Sequence, residues 1–242
     1  MDFLNTIIKN ILNIIFPTKC IFCGKDDKDL CLSCLTEAPS AERESAKWIF
    51  PLYDYRHPAI KKSLWLLKYK GKKRLANIFA EMIYEKILEE LSELSVLENF
   101  TEIILIPIPL SPKRYRERGY NQAELICKEL VRISKTKHLT PPASHSSPLQ
   151  QSWRGAGGEV FILETNILIK IKEREHQARI KNRNERLKNI IGSFEAKRSE
   201  LIKNRNIILI DDITTTGATL SEARKVLKQA GARKVIAFTV AH

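Results

Sequence analysis

The chain has 242 residues, of which 43% are hydrophobic, which is enough for one sizeable α/β core with a small accessory module. The net charge of +13 favours polyanionic partners such as phosphorylated metabolites or nucleic acid, although a Lys-rich solvated surface explains the same excess. Residues 1–16 have the apolar spacing of a helix face, but they are too short and too polar to span a bilayer and lack the basic start of a secretory signal. We therefore expect a cytoplasmic protein that is not an integral membrane protein.

Four cysteines lie near the N-terminus as two Cys-x-x-Cys pairs separated by seven residues. Each pair presents two thiolates to one ion, and four thiolates suit a tetrahedral structural zinc site with no open position. Two disulfides are disfavoured because export signals are absent, and an iron–sulfur cluster is a weaker competitor for the same residues. We predict a helix and zinc module in residues 1–45. Its metal ligands are Cys20, Cys23, Cys31 and Cys34.

Residues 46–242 are predicted to form the main domain. A short strand is expected at 48–55, followed by two helices at about 58–69 and 73–94. From residue 101 onward strands alternate with helices, with strands predicted at 103–106, 167–171, 207–210 and 235–240. This alternation predicts an α/β fold with a mostly parallel twisted sheet and helices on both faces.

Residues 139–166 interrupt this alternation. The segment collects prolines and glycines and offers little periodic apolar surface to offset the entropy of ordering. We predict an atypical flexible insertion there. A functional lid over a site is the alternative, because long loops of this kind are often functional.

Two adjacent acids follow the predicted strand 207–210, at the edge where open parallel sheets bind ligands. The small residues after them can surround a phosphate with amides and hydroxyls, and the next helix adds the positive end of its dipole. Paired carboxylates suit sugar hydroxyls or a divalent cation on a phosphorylated ligand. An Asp cap before an ordinary turn explains only part of this pattern. We predict a ribose 5-phosphate site with magnesium at Asp211, Asp212, Thr214, Thr215, Thr216, Gly217, Ala218 and Thr219.

This segment, IILIDDITTTGAT at 207–219, resembles the signature of type I phosphoribosyltransferases, which bind 5-phosphoribosyl 1-diphosphate. Other motifs extend the resemblance to the ComF family of competence-associated proteins, which join a four-cysteine zinc module to such a domain. They are LKYxG at 67–71, PxPL at 107–110, RGYNQA at 118–123, and Gln177 with Arg186, Asn189 and Phe194. The resemblance covers nearly everything except 139–166. It departs at Arg174, where the family commonly has Thr.

The resemblance implies roles for particular residues. Asp211 and Asp212 are the catalytic pair that holds the ribose hydroxyls, and residues 214–219 hold the 5-phosphate. Basic residues near the same sheet edge are expected to bind the diphosphate or another anion. Lys113, Arg114 and Arg118 lie in the predicted loop 108–120, and Arg186 lies further along the chain. Residues 170–188 are strongly basic and either close over a bound anion or form a solvated helix face.

Two functions remain open from the sequence. The resemblance implies binding of phosphoribosyl diphosphate or a related nucleotide, with a link to DNA uptake, its machinery and single-stranded DNA. Residues 61–74 support DNA binding because seven Lys and Arg residues there, without an acid, are interleaved with Trp65 and Tyr69. The alternative is a catalytically active nucleobase phosphoribosyltransferase of nucleotide salvage, which would act by positioning and electrostatics. No acceptor-base pocket is recognisable in the sequence.

Overall fold

The structure is a computed structural model. It describes residues 18–25, 28–41, 46–98, 100, 102–139, 160–171 and 190–242. The predicted N-terminal helix, residues 140–159 of the predicted insertion, and the basic segment 172–189 with Arg186 lie outside the described residues.

The described elements begin with α1 (Leu32–Thr36), β1 (Ile49–Tyr53), α2 (Pro58–Tyr69), α3 (Leu75–Glu98), β2 (Ile103–Pro107), α4 (Pro112–Arg118) and α5 (Gln122–Leu139). They continue with β3 (Ile162–Leu163), β4 (Leu168–Lys170), β5 (Phe194–Ala196), a 3₁₀ turn (Ser199–Leu201), β6 (Asn206–Ile213), α6 (Ala218–Gln229) and β7 (Lys234–Ala241).

Five of these strands form one parallel sheet in the order β1-β7-β6-β2-β3. The apolar strand β6 is central, and it pairs with β2 on one side and β7 on the other. The proline of β1, Pro51, lies opposite Thr239 of β7. A proline is tolerated there because β1 is an edge strand, where a missing backbone donor leaves no neighbour unpaired.

Helices cover both faces of this sheet. Ile208 and Ile210 of β6 pack into a core cluster with buried residues of α2, α3 and α5. Ile207 and Leu209, which alternate with them along the strand, pack into a second cluster with the buried face of α6. The predicted fold class, a mostly parallel sheet with helices on both faces, is therefore confirmed.

Two details differ from the sequence prediction. Within the predicted insertion 139–166, Ile162 and Leu163 form the edge strand β3 beside β2, and the neighbouring Phe161 is 2% exposed. Two residues are too few to give a periodic signal. The predicted strand at 167–171 exists as β4, but it pairs antiparallel with β5 in a separate two-stranded sheet.

Candidate functional site

The carboxyl ends of β2 and β6 meet at a cavity of about 370 Å³. The Ile108 N–H donates to the Ile210 carbonyl at 2.9 Å, which extends the pairing of these two strands past the end of β2. The Thr214 N–H donates to the Ala241 carbonyl at 2.9 Å and fixes the start of the following loop against β7. Every residue predicted for the ribose-phosphate site, Asp211, Asp212 and 214–219, lines this cavity.

The two acids have different surroundings. Both lie within β6, which runs to Ile213 and is longer than the predicted strand 207–210. The Asp212 carboxylate forms an ion pair with Lys68 of α2 at 2.9 Å, and the side chains are only 12% and 15% exposed. The Asp211 carboxylate accepts a hydrogen bond from the Asp212 N–H at 2.8 Å.

Burial and the charge of Asp212 both change the pKa of Asp211. Desolvation, together with repulsion from Asp212, raises the pKa of Asp211 to about 7, while attraction from Lys68 and Lys170 opposes the shift. Near neutral pH the Asp212 carboxylate is therefore paired with Lys68, and the Asp211 carboxyl group is partly protonated. Such a pair can both accept and donate hydrogen bonds to the hydroxyls of a sugar.

The loop after β6 leads directly into α6. Gly217, at the N-cap of α6, has a φ of 70°, and a Cβ added there would lie 3.1 Å from Cδ1 of Ile49. A glycine is favoured because both the left-handed backbone and the close approach disfavour a side chain. Residues 217–220 line the cavity. The first turn of α6 thus presents backbone amides and the positive end of the helix dipole to any bound anion.

Some of the basic residues predicted to bind the diphosphate line the cavity, and others do not. The segment predicted as a loop contains the short helix α4, capped by the Ser111 hydroxyl, which accepts from the Arg114 N–H at 3.3 Å. Arg114 and Arg118, four residues apart on one helix face, line the cavity. Lys113 is exposed and does not line the cavity, since the helix turns it away from that face. Its predicted role in binding the diphosphate or another anion stays a prediction.

Among the other polar residues that line the cavity, three belong to motifs that the sequence singled out without giving each residue a role of its own. They are Lys68, Asn121 and Gln122. The Asn121 amide donates to the Ile108 carbonyl at 2.9 Å, and its oxygen accepts from the Ala123 N–H at 3.0 Å. Gln122 is 1% exposed and accepts from Arg118 at 2.8 Å. These three residues lie in the motifs at 67–71 and 118–123. The sequence therefore indicated their positions but did not predict their contacts.

One face of α2 points outward beside this cavity. We call it the α2 surface, defined by the exposed residues Lys61, Lys62, Trp65, Tyr69 and Lys70. Trp65 is 47% and Tyr69 59% exposed, and their ring centroids are 6.3 Å apart. The Lys70 ammonium lies 5.4 Å from the Trp65 ring centroid. Tyr55, ten residues before Trp65, is instead partly buried against the core.

The four N-terminal cysteines converge as predicted. The sulfur atoms of Cys20, Cys23, Cys31 and Cys34 all lie within 4.8 Å of one another. The Cys20–Cys34, Cys23–Cys31 and Cys31–Cys34 sulfur distances are 3.9, 3.5 and 3.4 Å. Tetrahedral coordination with Zn–S bonds of about 2.3 Å places sulfurs about 3.8 Å apart, whereas a disulfide needs about 2.05 Å. The cluster fits a metal such as zinc and not a pair of disulfides.

Local backbone geometry builds this cluster. The Gly24 N–H donates to the Cys20 carbonyl at 2.9 Å, closing the first Cys-x-x-Cys turn, and Gly24 takes a φ of 76°. The Cys31 N–H donates to the Cys20 sulfur at 3.4 Å. Desolvation raises the pKa of Cys20, but backbone hydrogen bonds from Cys23 and Cys31 outweigh it and lower the pKa to about 6. Cys20 therefore favours the thiolate form that a metal requires, whereas desolvation and hydrogen bonds with the other cysteines raise the pKa of Cys34.

The fold and the cavity together define a protein of the phosphoribosyltransferase type. The family model described as the phosphoribosyl transferase domain matches residues 162–242, which include β6, the Thr-rich loop and α6. None of the helices in the described part of the chain is long and apolar enough to cross a membrane.

Three relatives indicate a narrower group of proteins within this class. Competence protein ComFC of Streptococcus pneumoniae is 31% identical over 173 residues, 72% of this chain and 59% of that protein. ComFC of Bacillus subtilis is 30% identical over 190 residues, 78% of this chain and 62% of that protein. The DNA utilization protein YhgH of Escherichia coli O6:H1 is 24% identical over 208 residues, 85% of this chain and 74% of that protein. Over most of its length the chain is similar to proteins of the ComF family, and it spans about three fifths of the length of the two ComFC relatives.

Proposed function

We propose that this protein binds 5-phosphoribosyl 1-diphosphate with magnesium in the cavity at the end of β6 and takes part in the handling of single-stranded DNA during DNA uptake. The observation that carries the first half is the convergence of an acid pair, a Thr-rich loop and a helix N-terminus on one cavity of about 370 Å³. The acid pair matches the ribose hydroxyls of the ligand, and the loop and the helix N-terminus both match its 5-phosphate.

The roles follow from the chemistry of each group. The amides and hydroxyls of 214–219 surround the 5-phosphate, and the dipole of α6 favours its negative charge. Asp211 and Asp212 hold the ribose hydroxyls. Arg114 and Arg118 bind the diphosphate through charge-assisted hydrogen bonds. Magnesium, when bound with the ligand, neutralises part of the diphosphate charge. Arg186 keeps its predicted anion-binding role, outside the described residues.

A binding role is favoured over turnover by the cavity lining. None of the described residues that line the cavity is aromatic. A nucleobase acceptor would lack the stacking partner that such sites usually supply. We therefore place salvage catalysis second. Measurement of diphosphate release across a panel of nucleobases tests it, and turnover with any of them would reverse this order.

The DNA half of the proposal is supported by the α2 surface. Single strands bind through phosphate contacts with Lys and Arg together with base stacking on aromatic rings. Lys61, Trp65 and Tyr69, spaced by four residues, lie along one line of α2 and offer both kinds of contact. The names of the relatives, competence protein and DNA utilization protein, point to the same class of partner.

A gel-shift titration with a single-stranded oligonucleotide at several salt concentrations tests this half. Trp65→Ala is expected to weaken binding by about 1–3 kcal/mol through lost stacking. Lys61→Met is expected to weaken binding and reduce the salt dependence. Lys225→Met is the matched control, because Lys225 is exposed on α6, away from the α2 surface. Equal shifts by wild type and both α2 variants would remove DNA binding from this surface.

A further inference from the structure

Helix α2 connects the cavity to the α2 surface. Lys68 points from this helix into the cavity, where it pairs with Asp212 at 2.9 Å. Its neighbour Tyr69 points outward and is 59% exposed. One helix of 12 residues therefore carries a contact to the predicted ribose site on one side and the aromatic pair on the other.

Arg118 connects the same two regions from α4. It lines the cavity and donates to the Gln122 side chain at 2.8 Å. Its guanidinium also lies 5.1 Å from the Tyr69 ring centroid and donates to the Tyr69 hydroxyl at 3.4 Å. The hydrogen bond to Tyr69 is long, so a stronger acceptor within reach would displace it.

We infer that the cavity and the α2 surface are coupled negatively: an anionic phosphoribosyl ligand in the cavity weakens the binding of single-stranded nucleic acid to the α2 surface, with Arg118 and Lys68 as the shared residues. This inference rests on the proposed function, since it requires both ligands to bind.

The coupling is negative because the ligand draws positively charged side chains toward the cavity. The Arg118 guanidinium binds a diphosphate more strongly than it binds the Tyr69 hydroxyl. Its N–H groups can donate two parallel hydrogen bonds to phosphate oxygens. The ligand therefore draws Arg118 away from Tyr69. A ribose hydroxyl or cation that engages Asp212 likewise leaves the Lys68 ammonium to the ligand oxygens. Both cations are then neutralised within the cavity.

The ligand also brings its own negative charge to within reach of the α2 surface. Electrostatic interactions act over about 8 Å at physiological ionic strength. Arg118 both lines the cavity and contacts Tyr69, so the two regions lie close together. The DNA backbone along Tyr69 and Lys70 would therefore meet a weaker positive field. By linkage the DNA must lower the affinity for the phosphoribosyl ligand by the same factor.

The test is fluorescence anisotropy of a labelled oligothymidylate bound to the full chain, with and without saturating magnesium and 5-phosphoribosyl 1-diphosphate. Ionic strength is matched with sodium chloride, because salt alone weakens DNA binding. We expect the dissociation constant for DNA to rise at least about fivefold when the ligand is present, the lower end of common coupling factors. Calorimetry under the same conditions establishes that the ligand itself is bound.

Two variants distinguish a shared residue from a general charge effect. Arg118→Gln removes the cation that contacts both regions, and we expect the coupling factor to fall toward one. Lys61→Met is the matched control, since Lys61 lies on the α2 surface but does not line the cavity. It should weaken DNA binding and keep the wild-type coupling factor.

The outcomes separate the inference from the proposed function. If both ligands bind and the DNA affinity is unchanged by the phosphoribosyl ligand, the inference is overturned and the proposed function stands. If coupling persists undiminished in Arg118→Gln, the assignment of the coupling to this residue is wrong. If calorimetry detects no ligand binding to the wild type, both the inference and the proposed function fail.

Discussion

Asp211 and Asp212 are adjacent in sequence but lie in different electrostatic surroundings. Asp212 has a lysine at 2.9 Å, whereas Asp211 is subject to desolvation and to the charge of its neighbour. Two like charges on consecutive residues of a buried strand are costly unless one of them is paired or protonated. Lys68 pairs one, and a raised pKa keeps the other partly protonated. The site is thereby stable without a ligand and still presents two acids to one.

The raised pKa of Asp211 gives a pH dependence of stability. The folded state holds this proton up to about pH 7, whereas an unfolded Asp releases it near pH 4. The free energy of unfolding is therefore expected to fall as the pH rises from about 4 to about 7. Urea unfolding of the ligand-free protein across this range measures the effect.

The replacement Asp211→Asn isolates this contribution, because an amide does not titrate. Its unfolding free energy should change less between pH 4 and pH 7 than that of the wild type. Glu117→Gln, at an exposed position of α4, is the control that removes an acid away from the cavity wall. Identical pH slopes for wild type and Asp211→Asn would contradict the account of this residue.

The segment between β2 and α5, which contains α4, shapes one wall of the cavity. Asn121 occupies the position before the first residue of α5, where its oxygen caps the Ala123 N–H at 3.0 Å. Its amide holds the Ile108 carbonyl, just past β2, at 2.9 Å. One buried side chain thus fixes the start of a helix to the end of a strand.

Removal of this side chain should affect both the fold and the site. Asn121→Ala leaves a buried carbonyl and a helix amide without their partner, and we expect a loss of about 1–3 kcal/mol of unfolding free energy. Asn121→Asp keeps the capping oxygen but loses the donor to Ile108, so its loss should be smaller. Chemical denaturation of both variants compares the two contacts, and no destabilisation of the alanine variant would refute this role.

The sequence predicted the elements whose pattern is strong and local. The run at 207–210, the acids after it and the Thr-rich loop carry their chemistry in consecutive residues, and the acids and the loop line one cavity. The pairing of Lys68 with Asp212 joins residues far apart in the chain, so no periodicity could reveal it. Helix α4 was predicted as a loop because it spans only seven residues, too few for a helical repeat to be recognised.

At the scale of the whole molecule, the cysteine cluster is packed against the main sheet. Leu30 and Leu35, next to the cysteines, belong to the same core cluster as Phe50 of β1 and Leu64 of α2. The Ser40 and Tyr53 backbones also form an antiparallel bridge. A metal bound to the cysteines would therefore stabilise part of the main core as well as its own segment.

Metal removal tests this connection. We expect the purified protein to contain one zinc ion per chain, and chelation to lower the thermal unfolding midpoint by several degrees or more. Cys23→Ser should lose the metal with little loss of packing, since Cys23 is the exposed member of the cluster. Cys127→Ala is the control, because Cys127 is buried in α5, away from the cluster, and zinc content should not change. Full zinc content in Cys23→Ser would contradict the four-cysteine site.

The cavity at the end of β6 is proposed to bind a phosphoribosyl diphosphate. Isothermal titration calorimetry with this ligand and magnesium, on the wild type and on Asp211→Asn/Asp212→Asn, tests it most directly. Asparagine preserves size while it removes both charges, so circular dichroism of the variant should match that of the wild type. We predict binding by the wild type and a loss of at least about tenfold in affinity, or 1.4 kcal/mol, in the variant. Equal affinity of the two proteins, or no binding by the wild type, would contradict the account.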